Sequence, residues 1–138
     1  MREVRNSAGP LWICDTHDIL AEGRWREDTS ERILQSRKTL RFLSTLTGEK
    51  ILCGDLNMPP NTKTIGMLGK KLNNLVIRHG ITNTRSESYL KHAAYANGNE
   101  ITDYAFVSRG INVTNLKFER SEASDHLPRV LECDLTRA

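Results

Sequence analysis

Three short polar clusters in this chain each stand directly at the end of an apolar, strand-like run, where folds commonly mount functional groups. The first is Gly54-Asp55-Leu56-Asn57, which follows Lys50-Ile-Leu-Cys53. If the strand persists, Asp55 and Asn57 alternate and point the same way. A carboxylate and a carboxamide on one edge can hold a water or a phosphate oxygen beside a hard cation. Taken alone, the tetrapeptide reads more readily as a strand-ending turn, because Gly, Asp and Asn are common turn residues. The second cluster, Ser124-Asp125-His126-Leu127-Pro128, precedes the last apolar run. A His beside an Asp suits a phosphate ligand, a general base or a metal neighbour; it suits an ordinary polar loop equally well. The third, Thr102-Asp103-Tyr104, opens the run Asp-Tyr-Ala-Phe-Val-Ser. Its carboxylate could cap a turn, or fix the tautomer and orientation of a catalytic His.

The elements that must position these clusters follow from the apolar pattern. Leu11 to Thr16 predicts a strand that runs into a loop at His17-Asp18, and Ala21 to Asp28 reads as a charged surface loop. Asp28-Thr-Ser-Glu31 resembles a capping box. The helix it would open places Ile33, Leu40 and Leu43 on one face, widened by Phe42 and Leu46, with Arg37, Lys38 and Arg41 opposite. Gly48 stands where a helix commonly ends. Lys50 to Cys53 begins a buried strand, stopped by Pro59 and Pro60. Thr62 to Leu72 predicts a second, weaker helix, and the polar stretch from Asn73 to Asn99 an irregular region. Ile101 to Ser108 predicts a strand, Gly110 a turn, and Ile111 to Phe118 the strand paired with it, with a bulge near Thr114-Asn115 where the apolar period breaks. Val130 to Leu135 is the last strand, and before Leu11 no strand pattern is present. Strand, helix, strand, helix and then a run of strands indicate an α/β or α+β layered fold in a single domain over 1–138.

The composition bounds the alternatives. With 138 residues, 38% apolar and 27% charged, the chain reads as one soluble globular domain. A net charge of +3 is compatible with a phosphate-bearing partner without requiring one. No apolar run approaches the roughly 20 residues that span a bilayer, and no signal peptide is recognisable. A cytoplasmic protein is therefore expected, with no membrane partner. Cys14, Cys53 and Cys133 are scattered and form no Cys-x-x-Cys pair, which argues for reduced, buried cysteines and against a disulfide scaffold or a zinc site. No Gly-x-Ser-x-Gly elbow marks a serine nucleophile, so a Ser/His/Asp hydrolase is a weak reading.

Taken together, the clusters are far more specific than any one of them. Gly54-Asp-Leu-Asn57 followed by proline, Ile101-Thr-Asp-Tyr-Ala-Phe-Val-Ser108 and Ser124-Asp-His-Leu-Pro128 closely resemble, in order and approximate spacing, the signature series of the endonuclease/exonuclease/phosphatase superfamily. Thr16-His17, with Arg32-Ile-Leu-Gln35 on the next helix, resembles an upstream motif of the same family. The resemblance runs from about Leu11 to Leu135.

The resemblance implies a hydrolase of phosphate esters in which a divalent cation, Mg²⁺ or Mn²⁺, polarises the phosphate while a water attacks in line. Asp55 matches the residue that orients or deprotonates the water, and Asn57 one that holds the water or a phosphate oxygen and stands near the metal. His126 matches the phosphate-contacting His, Asp103 the carboxylate that orients it, and Asp125 an acidic residue near the metal. His17 matches a variable position that contacts the phosphate or assists the leaving oxygen.

A complete domain of this family is about twice as long as one of this size. Its first half contributes a metal-ligand Glu that has no counterpart here. The chain is therefore expected to be the C-terminal half of a four-layer α/β/β/α sandwich, a mixed sheet with helices on its outer face. An inner face built from Ile13, Leu52, Phe106 and Leu131 would then need a second copy or a separate N-terminal half to cover it. The rival expectation is a non-catalytic remnant that binds phosphate or nucleic acid, with Arg24, Trp25 and Arg26 as a stacking and phosphate-contacting surface. The substrate class stays open among DNA, RNA, inositol phosphates, sphingolipids and nucleotide cofactors.

Overall fold

The computed structural model describes residues 1–6, 9–20, 26–92 and 100–134. Arg24, Trp25 and Leu135 lie outside them, as do parts of the two loops 21–28 and 89–99. The strands are β1 (Arg2–Asn6), β2 (Gly9–His17), β3 (Glu49–Asp55), β4 (Asn73–Asn74), β5 (Asp103–Val107), β6 (Asn112–Phe118) and β7 (Arg129–Asp134). The helices are α1 (Ser30–Thr45), α2 (Lys63–Lys71), α3 (Leu75–Arg78) and α4 (Glu87–His92). Strands β1 to β5 form a mixed sheet in the order β1-β2-β3-β5-β4, while β6 and β7 pair separately. The architecture is the α/β arrangement expected, and among the described residues no helix is long and apolar enough to cross a membrane.

The sheet is built on a parallel pair, β2 with β3, and an antiparallel pair, β3 with β5. Leu52 lies between Cys14 and Phe106, and Ile51 between Ile13 and Val107. Alternation along a strand sends these two rows to opposite faces. Leu52, Phe106, Ile51 and Val107 are all buried, so β3 and β5 are covered on both sides. Leu43 of α1, Ile65 and Leu68 of α2 and Leu116 of β6 complete the apolar cluster, with Leu131 of β7 packed against it. The inner face expected from Ile13, Leu52, Phe106 and Leu131 is therefore corrected. Ile13 and Leu52 point to opposite sides, and Leu52 and Phe106 are already enclosed.

Other expectations are corrected by tertiary context. Residues 2–6 form an edge strand, joined to β2 through antiparallel backbone pairing rather than through an apolar stripe. β6 pairs with β7 and not with β5, because β5 already has β3 on one edge and Asn73–Asn74 on the other. The bulge is where the apolar pattern put it, between Val113 and Asn115. Phe42 is 46% exposed and does not widen the buried face of α1. Helix α1 ends at Thr45 with Leu46 as its C-cap, so Gly48 lies beyond the cap. At φ +85° it passes close to Pro10 on the way into β3. The stretch read as irregular holds β4, α3 and α4.

The capping box is also re-partnered. Thr29, not Asp28, caps α1, its hydroxyl accepting from the Arg32 amide. Asp28 reaches the N-terminus of α2 instead, accepting from the amides of Lys63 (2.7 Å) and Thr64 (2.9 Å) and from the Thr64 hydroxyl (2.7 Å). Helix N-termini leave amides unsatisfied and favour negative charge, so a carboxylate here joins α2 to the start of α1. Burial alone would raise the Asp28 pKa, but the hydrogen bonds from Thr64 and Lys63 and the Lys63 charge together hold it below the ordinary aspartate range. A depressed acid contributes stability that is present above its unfolded pKa and is lost as pH falls through the folded one. Asp28→Ala is expected to cost about 1–2 kcal/mol at neutral pH. The difference from wild type should shrink below about pH 3.8, the ordinary aspartate value. Urea denaturation at pH 7 and pH 3 checks both; a pH-independent difference would contradict the assignment.

Candidate active site

The register of the sheet assembles the site. His17 ends β2 opposite Asp55, which ends β3, and Asp55 lies opposite Asp103, which opens β5. The three side chains thus form a row along one end of one sheet face. The position of Gly54 makes this end compact: at φ +135°, a Cβ would sit 1.8 Å from the Thr16 carbonyl oxygen of β2. The β3 strand stops at Asp55, whose Oδ1 accepts from the Asn57 amide at 2.8 Å in an Asx-type turn.

That turn corrects one expectation. Asp55 and Asn57 do not alternate along a strand, since Asn57 takes φ +52° in the left-handed region. Its side-chain nitrogen donates to the Asp18 carbonyl at 3.0 Å, which ties the β3 end to the β2 end. Asp18 itself is buried and accepts from the Thr16 hydroxyl (2.9 Å) and the Gln35 amide (3.1 Å). Burial is the main reason its pKa is raised, with the Asp55 charge adding to it against the Thr16 hydrogen bond.

His126 arrives from the segment before β7. A short antiparallel contact joins Arg85 and His126, flanked by Ser86 N–H to the Asp125 carbonyl and Leu127 N–H to the Thr84 carbonyl. It places His126 Nδ1 2.9 Å from Asp103 Oδ2 and Nε2 3.6 Å from Asp55 Oδ2. Asp103 is held in turn by the Thr102 hydroxyl (3.1 Å), and its own amide donates to the buried Thr84 hydroxyl (3.3 Å). An Arg donor also meets His126 Nε2, from Arg85 Nη1. A guanidinium only donates, so Nε2 is the acceptor and Nδ1 carries the proton that Asp103 accepts.

Asp125 is more exposed, and its Oδ2 accepts from Arg85 Nη1 at 2.8 Å. His17 is mostly exposed, with Nε2 3.8 Å from Asp55 Oδ2. The structure thus brings together His17, Asp55, Asp103, Asp125 and His126, and turns the Asn57 side-chain amide toward Asp18. Among the described residues no group of three or more His, Cys, Asp and Glu side chains is arranged to hold a metal ion. Arg85, Thr84, Tyr89 and Asp18 escaped sequence reading. Arg85 and Thr84 belong to the polar run Asn83 to Ser86, which has no periodicity to mark them as buried.

No family model matches this sequence, and no curated protein matches it. Comparison with solved structures does find the fold. An endonuclease/exonuclease/phosphatase protein from Bacteroides vulgatus matches with TM-score 0.63 at 15% identity over 77% of this chain and 44% of its own. A conserved protein of unknown function from Enterococcus faecalis matches with TM-score 0.70 at 17% identity over 91% and 50%. The human Nocturnin catalytic domain, solved with a bound sulfate, matches with TM-score 0.53 at 18% identity over 88% and 45%. The chain therefore shares the fold of the matching part of these structures, one of them an endonuclease/exonuclease/phosphatase protein, the family its motifs resemble. It spans about half the length of these structures.

Proposed function

We propose that this site belongs to a hydrolase of phosphate esters that uses a divalent cation, and that the chain corresponds to the C-terminal half of such a domain. The observation that carries the reading is the convergence of Asp55, Asp103, Asp125 and His126 at one sheet end in this fold. Asp55 and Asp125 would hold Mg²⁺ or Mn²⁺, which prefer hard oxygen donors. The charge balance fits such an ion: Asp55, Asp103 and Asp125 outnumber the one guanidinium that pairs with two of them. A bound cation would offset this negative charge beside a phosphate. The cation would supply charge neutralisation of the phosphoryl group. Two carboxylates make an incomplete ligand set, and Asn57 is not turned to join them.

The residues of the chain itself supply positioning. Asp103 holds the His126 ring through Nδ1, which keeps Nε2 on the Asp55 side of the cluster beside Arg85. Asp55 would orient or deprotonate an attacking water, and His17, exposed beside it, would meet a substrate or leaving oxygen. No covalent intermediate is needed.

The 138-residue chain alone is expected to bind Mg²⁺ weakly and to turn over slowly or not at all, with a second copy or a separate N-terminal half as the partner that would complete it. Hydrolysis of bis(p-nitrophenyl) phosphate with Mg²⁺ or Mn²⁺ tests the reading. Turnover, however slow, should require the cation and disappear in Asp55→Asn and His126→Ala. Turnover that survives both substitutions would overturn the assignment. Phosphate binding without turnover in any partnered form would favour a non-catalytic phosphate- or nucleic-acid-binding protein.

A further inference from the structure

We propose that Arg85 is a phosphate-binding residue of this site, presenting the Nε–Nη2 edge of its guanidinium to phosphoryl oxygens. The inference rests on the phosphate-ester reading of the site. Arg85 is 7% exposed, and a buried guanidinium requires acceptors for its donors. Nη1 has them in Asp125 Oδ2 and His126 Nε2. Nη2 stands 3.7 Å from Asp55 Oδ2, beyond hydrogen-bond range. Nε is buried without an acceptor among the described residues. The edge formed by Nε–H and Nη2–H therefore carries charge and has no hydrogen-bond acceptor among the described residues; its Nε is buried, and its Nη2 faces the Asp55 side of the cluster. Two parallel N–H donors are the complement of an oxyanion with two oxygens on one edge, which a phosphoryl group provides.

The rest of the residue is pre-organised for such a partner. Its plane is fixed by the Tyr89 ring, 4.9 Å from Cζ. Its backbone is held on both sides by one side chain, since Asn83 Oδ1 accepts from Arg85 N–H at 3.1 Å and Asn83 Nδ2 donates to the Arg85 carbonyl at 2.7 Å. A purely structural arginine would be expected to spend its donors on the Asp125 segment. This one spends only Nη1 there, and leaves the fork edge turned toward the residue placed beside the attacking water.

The test uses the 138-residue chain with inorganic phosphate and Mg²⁺, comparing wild type with Arg85→Lys and Arg85→Gln. Binding is followed by ¹H–¹⁵N spectra, including the His126 ring nitrogens. Charge-assisted hydrogen bonds imply that phosphate affinity falls about ten- to hundred-fold in Arg85→Gln. Arg85→Lys should recover only part of it, because an ammonium keeps the charge and loses the fork. If Arg85→Gln fails to fold, a folded Arg85→Lys that binds phosphate as tightly as wild type overturns the proposal. So does unchanged affinity in Arg85→Gln, or a wild type that leaves its Arg85 and His126 signals unmoved at millimolar phosphate. Arg85-dependent phosphate binding with no cation-dependent turnover in any partnered form would sustain this inference and overturn the hydrolase reading. Cation-dependent turnover with an unchanged KM in Arg85→Gln would do the reverse.

Discussion

Gly54→Ala is expected to destabilise this chain by several kcal/mol. Gly54 sits at φ +135°, a region that essentially only glycine occupies. The added methyl would lie 1.8 Å from the Thr16 carbonyl oxygen, a backbone atom of the neighbouring strand that cannot rotate aside. Relief requires β2 and β3 to separate where Thr16 pairs with Gly54, immediately before His17 meets Asp55. Backbone strain of about 1–3 kcal/mol adds to the lost pairing, against a total stability of about 5–15 kcal/mol for a domain of this kind. Circular dichroism during thermal denaturation reads the outcome. A variant that melts cooperatively within a degree or two of wild type would show that the strand ends are not in this arrangement.

Asp103→Asn is expected to leave the fold in place and to disable His126. The carboxylate is buried and accepts from the ring at 2.9 Å, which keeps the proton on Nδ1. An amide can turn its NH₂ toward the ring and select the other tautomer, which points an N–H at Arg85 and Asp55. Loss of an orienting carboxylate in a comparable His–Asp pair costs about 10⁴-fold in rate. The chain in a turnover-competent form should fall to background. The ¹⁵N shifts of the ring report the tautomer directly, with or without turnover. A ring that keeps its Nδ1 proton, with hydrolysis unchanged, would remove Asp103 from the site.

The meeting of Asp55, Asp103 and His126 is more legible in the sequence than the pairing of the strands that hold them. Asp55, Asp103 and His126 were legible because each breaks an apolar run at its end, and such breaks survive whatever the sheet order turns out to be. Helix α2 was legible for a local reason, since Thr62 caps it and its apolar residues recur at helical spacing. Strand β1 was not legible, because an edge strand made by backbone pairing needs no apolar alternation. The partner of β6 was missed because Gly110 suggests a hairpin with β5, and nothing local reveals that both edges of β5 are taken. Asp28 was misassigned because two helix N-termini compete for one carboxylate, and the winner is 35 residues away in sequence. Arg85 left no signal at all: its burial depends on a two-residue contact between the segments around residues 85 and 126.

The most direct test of the proposed phosphate-ester site is a crystal structure of the chain grown with Mn²⁺ and inorganic phosphate, with data collected at the manganese absorption edge. The expected result is an anomalous peak within coordinating distance of Asp55 or Asp125, and phosphate density beside that ion with its oxygens against the Nε–Nη2 edge of Arg85. Manganese and phosphate bound elsewhere, with the cluster of Asp55, Asp103, Asp125 and His126 untouched, would contradict it.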